Sequence, residues 1–391
     1  MTNLPQGWEV KKLGEIGEIV TGSTPSKSNL DFYGKDYPFF KPSDFEQGYF
    51  LENAGDNLSK LGFDKARQLP PKTILVVCIG SLGKVALTRV IGSCNQQINA
   101  IIPHKNIIAE YIYYYCISSK FQSILFSKAP QTTLAILNKT EFSKLEIIYP
   151  KDIKEQERIV GILDESFAKI DESIKILEQN LLNLDELMQS ALQKAFNPLK
   201  DNAKENYKLP QGWEWKSLEE ISENISAGGD KPKNCTESKT AKNQIPVYAN
   251  GVNNNGLVGY TDKATIIKPS LTISARGTIG FVCIRKEPYF PIVRLISLIP
   301  CENILCLHYL YFCLNFFIAK GEGSSIPQLT IPKFKSLQIP LPPLKEQEQI
   351  AEHLDFVFEK AKALKELYTK ELKDYEELKQ SLLNKAFKGE L

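Results

Sequence analysis

The sequence predicts a mixed α/β (α+β) fold built twice, as two globular domains each followed by a long helix. Three observations carry this prediction. Sequence anchors recur after about 200 residues, an apolar 3-4 seam runs along each helix, and net charge alternates in step with the repeat. The implied boundaries are 1–150 and 151–196 for the first domain and its helix, 197–208 for a linker, and 209–342 and 343–391 for the second pair.

The repeat opens with Leu4-Pro5-Gln6-Gly7-Trp8-Glu9, which returns as Leu209-Pro210-Gln211-Gly212-Trp213-Glu214. It continues through Leu13/Leu218, Glu15/Glu220 and Ile16/Ile221. Further on, Gly80-Ser81-Leu82-Gly83 answers Gly277-Thr278-Ile279-Gly280, and Tyr111-x-Tyr113 answers Tyr309-x-Tyr311. Lys154-Glu155-Gln156-Glu157 then matches Lys345-Glu346-Gln347-Glu348, and the helices align without a gap to Lys194-Ala195-Phe196 and Lys385-Ala386-Phe387. So long a period describes a duplicated domain pair and not a short-period solenoid. The ends are shared and the middles diverge, as expected of one scaffold used for two targets. The polar stretch 197–208, opened by Asn197-Pro198, reads as the linker.

Within each half, strands are predicted at 73–79, 271–274, 281–284 and 292–297, and aromatic-rich helices at 109–126 and 306–318. Asn250-Gly251 and Asn255-Gly256 read as turns.

After Pro150 a heptad seam begins at Ile153 and Gln156. It runs on through Val160, Leu163, Phe167, Ile170, Ile174, Leu177, Leu181 and Leu184, and Gln156 is its one polar member. The second seam includes Gln347, Leu354, Phe358, Ala361 and Leu372. It is weaker, but Ile350, Val357, Leu364 and Leu367 widen its apolar face. Seams sustained over this length without Gly or Pro at seam positions are the mark of a coiled coil. Each helix of about 44 residues is about 66 Å long, more than bracing one domain requires. Two related halves associate most simply about a pseudo-two-fold axis. If that axis is perpendicular to the helices, they pair antiparallel and separate the two domains.

Charge sharpens the division. Residues 1–150 carry 16 Lys+Arg against 13 Asp+Glu, and 204–342 carry 16 against 11, whereas 151–203 and 343–391 carry 7 against 11 and 9 against 11. The overall charge of +2 excludes a uniformly basic, histone-like DNA binder and leaves positive domains on acidic helices. The amino terminus has no apolar signal core and no apolar run long enough to span a bilayer, so a cytoplasmic protein is expected. Eight cysteines occur without C-x-x-C spacing. The group Cys301, Cys306, His308 and Cys313 has metal-ligand residue types, but its Leu, Tyr and Phe neighbours read as an apolar helix with buried thiols. No metal site is assigned. The Gly80–Lys84 turn lacks the spacing and hydroxyl of a phosphate loop, and no nucleophile–base set is recognisable.

The candidate binding residues are polar and basic loop positions. In the first half these are Ser23, Thr24, Ser26 and Lys27, then Lys41, Ser43 and Asp44, then Lys84, Gln96 and Gln97, and Thr132 and Thr133. In the second they are Lys231 and Lys233, Asn253, Asn254 and Asn255, Arg276, and Ser324 and Ser325. Lysines and hydroxyls suit phosphate, and Gln, Asn and Arg suit base edges. Each loop alone is equally a solvated turn; their recurrence at matching places in both halves favours binding.

Together these residues resemble the specificity subunits of type I restriction–modification enzymes. The likeness rests on the repeated Leu-Pro-x-Gly-Trp, the stretch Pro38-Phe-Phe-Lys-Pro-Ser-Asp44, the Gly-x-Ile/Leu-Gly turn, Asn95-Gln96, and the run at 339–347 that opens the second helix. It covers nearly the whole chain. Two departures stand out: the first helix is entered by Tyr149-Pro-Lys-Asp-Ile153, and Val293-Arg294 stands where Asn95-Gln96 is expected to recur.

The resemblance implies two target-recognition domains, each reading half of a bipartite, asymmetric site on double-stranded DNA. The helices would set the gap between the half-sites. The subunit would be non-catalytic and bind no cofactor itself. Its partners would be two modification subunits that methylate adenine N6 from S-adenosylmethionine, and restriction subunits that use ATP and Mg²⁺. The alternatives are the specificity component of another restriction class, a tandem protein-interaction scaffold without DNA binding, and an enzyme such as a methyltransferase with a diverged pocket.

Overall fold

The computed structural model describes residues 4–129, 135–196, 209–318, 321–322 and 329–391. The chain forms two compact units, 1–178 with 369–391, and 179–368. Each unit therefore combines one globular domain, the start of its own long helix and the end of the other.

In the first unit, Pro5 to Trp8 makes a tight turn closed by the Trp8 N–H donating to the Pro5 carbonyl. Gly7 takes a φ of +84°, which a type II turn requires at its third residue. The turn launches the strand Trp8–Lys12, which pairs antiparallel with Glu146–Pro150. A five-stranded sheet follows in the order Gly17–Thr21, Ile98–Pro103, Ile74–Val77, Val85–Thr88, Phe50–Leu51. Beside it lies a three-stranded sheet ordered Asp56–Leu58, Tyr33–Phe40, Ser93–Cys94.

The second unit repeats this plan. Gly212 takes φ +86° in the same turn, and Glu214–Ser217 pairs antiparallel with Gln338–Leu341. The larger sheet is ordered Ser222–Ala227, Ile296–Pro300, Ser270–Ile273, Val282–Arg285, and the smaller Leu257–Thr261, Ile245–Tyr248, Phe290–Pro291. The repeat seen in the sequence is thus a repeat of topology.

Two predicted elements differ. The helix expected at 109–126 is two, Ala109–Ile117 and Ser119–Lys128. Ser118 divides them with extended backbone and caps the second helix by accepting from the Phe121 N–H. The strand expected at 292–297 begins only at Ile296, because Ile292 to Leu295 turns back on itself. That turn also corrects the alignment of the halves. Asn95 and Ile292 each donate to the last residue of the neighbouring strand, Phe40 and Tyr248. Val293 and Arg294 therefore stand in the places of Gln96 and Gln97, one position on from the match expected.

The long helices run Ile153–Phe196 and Leu344–Ala386. In the first unit their segments are antiparallel, with Arg158 reaching the Leu391 carbonyl at 2.9 Å and Lys379 Nζ on Asp171 at 2.6 Å. They are antiparallel in the second as well, where Lys365 meets Asp185 and Phe196 reaches the helix Leu307–Phe317. Val160, Leu163, Ile170, Leu177, Leu184, Leu354 and Ala361 are buried. Phe167, Ile174, Leu181, Phe358 and Leu372 are half-buried.

Gln156 and Gln347, the polar members of the seams, are fully buried and join each helix to its domain. Gln156 Oε1 accepts from the Ile108 N–H at 2.9 Å, and its Nε2 donates to the Pro150 carbonyl at 2.9 Å. Gln347 repeats both bonds with Cys306 and Pro342, at 2.9 and 2.8 Å. The helix ends are anchored in the cores as well. Phe387 packs edge-on against Tyr111 and Tyr115, at ring distances of 5.4 and 5.0 Å. Phe196 does the same against Tyr309 at 5.7 Å.

Candidate nucleic-acid interface

In the first domain three of the predicted loops meet. Gly22 and Ser23 donate their N–H groups to the Ile98 and Cys94 carbonyls, which lays the Gly22–Lys27 loop along the turn 95–98. A Cβ on Gly22 would lie 2.1 Å from the Asn95 carbonyl oxygen, so only glycine permits this approach. Thr24 Oγ1 donates to Gln96 Oε1 at 2.5 Å across the gap. Gln97 Nε2 contacts the Ile79 carbonyl at 3.4 Å, bringing in the Gly80–Gly83 turn. Lys27 and Ser26 are exposed on the rim, and Ser26 Oγ is 2.8 Å from Ser28 Oγ. Ser23 Oγ accepts from the Arg67 N–H at 3.3 Å. Beneath this loop, burial pushes the Cys94 thiol up to about 12, against the pull of the Arg67 charge.

The neighbouring turn is built differently from a reading loop. Asp44 is buried, and its oxygens accept from the Lys41 and Gly55 N–H groups at 2.7 and 2.9 Å. This carboxylate is committed to the fold. Lys41 pairs with Asp56, Lys84 lies 3.4 Å from Glu46, and Ser43 is exposed. Thr132, Thr133, Ser324 and Ser325 lie outside the described residues.

In the second domain the corresponding loops converge on a residue that sequence reasoning passed over. Asn250 Oδ1 accepts from the Ala275 N–H at 2.8 Å, and its Nδ2 donates to the Val293 carbonyl at 2.6 Å. One amide thus ties the loop before Arg276 to the turn before Arg294. Val293 and Arg294 donate to the Gly229 and Gly228 carbonyls, so the Gly228–Lys233 loop joins the group. Lys231, Lys233, Asn253, Asn254, Asn255 and Arg276 are all exposed. Asn254 and Asn255 hold left-handed φ values of 48° and 52°, which asparagine tolerates better than most residues. The Asn255 carbonyl accepts from Arg285, whose guanidinium also stacks 3.6 Å over Tyr248. Asn250-Gly251 was legible only as a turn; Arg294 was legible as a basic residue and nothing more.

Elsewhere, the His308 ring meets Asp355 at 2.6 Å and Cys313 is fully buried. Among the described residues no group of three His, Cys, Asp or Glu side chains is placed to hold a metal ion. No helix among them is long and apolar enough to cross a membrane.

The fold and its loops define a class: a duplicated α/β protein whose common framework carries two differently equipped loop clusters. Residues 5–182 and 210–373 match the model of the type I restriction modification DNA specificity domain. The chain belongs to that family, carrying the domain twice. It is 37% identical over 191 residues to the type I restriction enzyme HindI specificity subunit of Haemophilus influenzae, a match covering 47% of this chain and 42% of that one. It is 24% identical over 395 residues to the MjaIX specificity subunit of Methanocaldococcus jannaschii, covering 91% and 88%. Among solved structures, the HsdS subunit of Thermoanaerobacter tengcongensis aligns with TM-score 0.61 at 20% identity over 100% of this chain and 98% of that one. A chain from a structural study of type I R-M complex assembly aligns with TM-score 0.83 at 20% identity over the full length of both. These two share the fold.

Proposed function

We propose that this chain is the DNA-specificity subunit of a type I restriction–modification complex, with each domain reading one half of a bipartite, asymmetric site. The observation that carries the reading is a common framework with different tips. Corresponding backbone bonds close the turn 95–98 in one domain and 292–295 in the other, through the Asn95 and Ile292 N–H groups and the Ile98 and Leu295 N–H groups. Yet one presents Gln96-Gln97 and the other a left-handed Val293-Arg294. Glutamine suits adenine and arginine suits guanine, so the half-sites would differ. The basic domains face phosphate and the acidic helices face protein partners. Two modification subunits would supply adenine-N6 methylation from S-adenosylmethionine, and restriction subunits would cut with ATP and Mg²⁺. The chain itself performs recognition and leaves the chemistry to them.

Exchanging 20–140 for the equivalent segment of another specificity subunit tests this. Methylome sequencing should show one half-site replaced and the other kept; a change in both half-sites would refute the modular reading.

A further inference from the structure

The chain has six arginines, and four are occupied. Arg67 bonds the Thr21 carbonyl, Arg89 meets Glu52, Arg158 meets Glu155, and Arg285 bonds Thr272 and Asn255. Arg276 and Arg294 have no side-chain partner among the described residues, and both are exposed. Asn250 bonds the residue preceding each of them.

The turn that carries Arg294 is costly. Val293 and Arg294 hold φ values of 54° and 58°, and the Leu295 N–H closes on the Ile292 carbonyl at 3.0 Å. Two successive left-handed residues make a type I′-like turn, which Asn-Gly fills without strain. A β-branched valine in that region is a genuine outlier. The surroundings over-determine the turn. Ile292 donates to Tyr248, Val293 to Gly229, Arg294 to Gly228, and Asn250 holds the Val293 carbonyl. A Cβ on Gly228 would lie 2.6 Å from the Ile292 nitrogen, so the supporting loop admits only glycine there. Strain held this firmly at an exposed tip points to use of the side chains that incur it.

We infer that the Val293–Arg294 turn is a base-reading element of the second domain, in which Arg294 pairs with a guanine edge and Asn250 positions it. The inference rests on the proposed function and adds to it the base class and the residue. A phosphate contact needs only a flexible cation. Bidentate recognition of guanine O6 and N7 needs a guanidinium on a fixed backbone, because the fork must meet two atoms in one plane. Val293, 51% exposed beside it, offers an apolar surface to an adjacent thymine methyl. In the first domain Gln97 is turned inward onto Asn95 and Ile79, leaving Gln96 at the tip. The two domains thus place turns of opposite hand at one position, since Gln96 and Gln97 lack the left-handed backbone of Val293 and Arg294.

The test is methylome sequencing of cells expressing the full chain with its modification subunits, as wild type, R294A, N250A and the double variant V293N/R294G. The double variant installs the unstrained turn pair, so it keeps the fold while removing the reader. The wild-type half-site read by the second domain should contain a G·C pair. R294A and V293N/R294G should relax discrimination at that pair about ten- to a hundred-fold, with the other half-site and the gap unchanged. N250A should relax the same position more weakly. If the half-site stays intact while methylation falls evenly across sites, Arg294 is a phosphate contact and the inference is overturned. An intact motif at wild-type level in V293N/R294G overturns it equally. A wild-type complex with no bipartite motif would instead refute the proposed function on which it rests.

Discussion

Replacing Gln156 by leucine probes the joint between helix and domain. Leucine has nearly the same volume and costs no helix propensity, so the substitution isolates the hydrogen bonds. The side chain is fully buried and satisfies two backbone groups, the Ile108 N–H at 2.9 Å and the Pro150 carbonyl at 2.9 Å. Ile108 directly precedes the helix Ala109–Ile117, where backbone N–H groups have no partner within the helix. Leaving a buried donor or acceptor unpaired costs about 1–3 kcal/mol. Two such losses, less the gain from a more apolar side chain, give a destabilisation of about 2–4 kcal/mol. Gln347→Leu should cost at least as much in the second unit, since its bonds to Cys306 and Pro342 match to within 0.1 Å and its Nε2 also donates to the Ile304 carbonyl at 2.9 Å, against 3.5 Å from Gln156 to Asn106. The two share no partner, so the double variant should lose the sum to within about 0.5 kcal/mol. Urea titration followed by circular dichroism and by amide exchange at Ile108 and Cys306 measures both effects. A loss below about 1 kcal/mol with Ile108 still protected would show that water or a neighbour satisfies those groups and that the joint is held by packing alone.

Other consequences follow from the same contacts. Phe387→Ala should destabilise the first unit and Phe196→Ala the second, each by about 3–5 kcal/mol, as unit-specific loss of exchange protection would reveal. V293N/R294G should raise stability by about 1–3 kcal/mol through relief of two left-handed residues, visible as a higher midpoint of urea unfolding. Burial pushes the Cys78 and Cys94 thiols up to about 12, so at pH 8 both are protonated and shielded. Timed alkylation with mass spectrometry should label the partly exposed Cys235 and Cys301 well before either. Deleting 171–177 together with 362–368 should shorten the gap between half-sites by a few base pairs and leave both half-sites unchanged in the methylome.

The helices and the duplication were legible in the sequence because they rest on signals that add along the chain. A seam of a dozen positions outweighs any single residue, and anchors such as Leu-Pro-Gln-Gly-Trp are turns whose chemistry is local. The break at Ser118 was hidden because the aromatic run Tyr111–Tyr115 and Phe121 reads as one apolar helix, while one serine hydroxyl decides otherwise. The turn at 292–295 was hidden more deeply. Ile292, Val293 and Ile296 have strand propensity, and only long-range bonds to Gly228, Gly229, Tyr248 and Asn250 override it. The loop candidates were read as polar residues without positions, so Asp44, a structural carboxylate, ranked beside Lys27, an exposed one. Asn250 carries no signal beyond its turn, since its role exists only once two other loops arrive.

This difference in legibility reflects how the molecule divides its work. The residues that hold the framework are the repeated ones: Gly7 and Gly212 in the opening turns, Gln156 and Gln347 at the joints, Tyr111 and Tyr309 bonding the Ile148 and Pro340 carbonyls, and Phe387 and Phe196 capping the aromatic helices. None of these contacts involves the loop tips. A tip is fixed instead by backbone bonds to its neighbours, which any side chain permits, together with one close approach that only glycine permits, Gly22 in one half and Gly228 in the other. Side chains at the tip can therefore change without loosening the domain, apart from the strain that a left-handed pair imposes. That strain is the exception that gives the second domain its character. Asn250 and the Gly228-Gly229 carbonyls together hold Val293-Arg294, so this tip moved into another domain should keep its full discrimination only when Asn250 is carried with it.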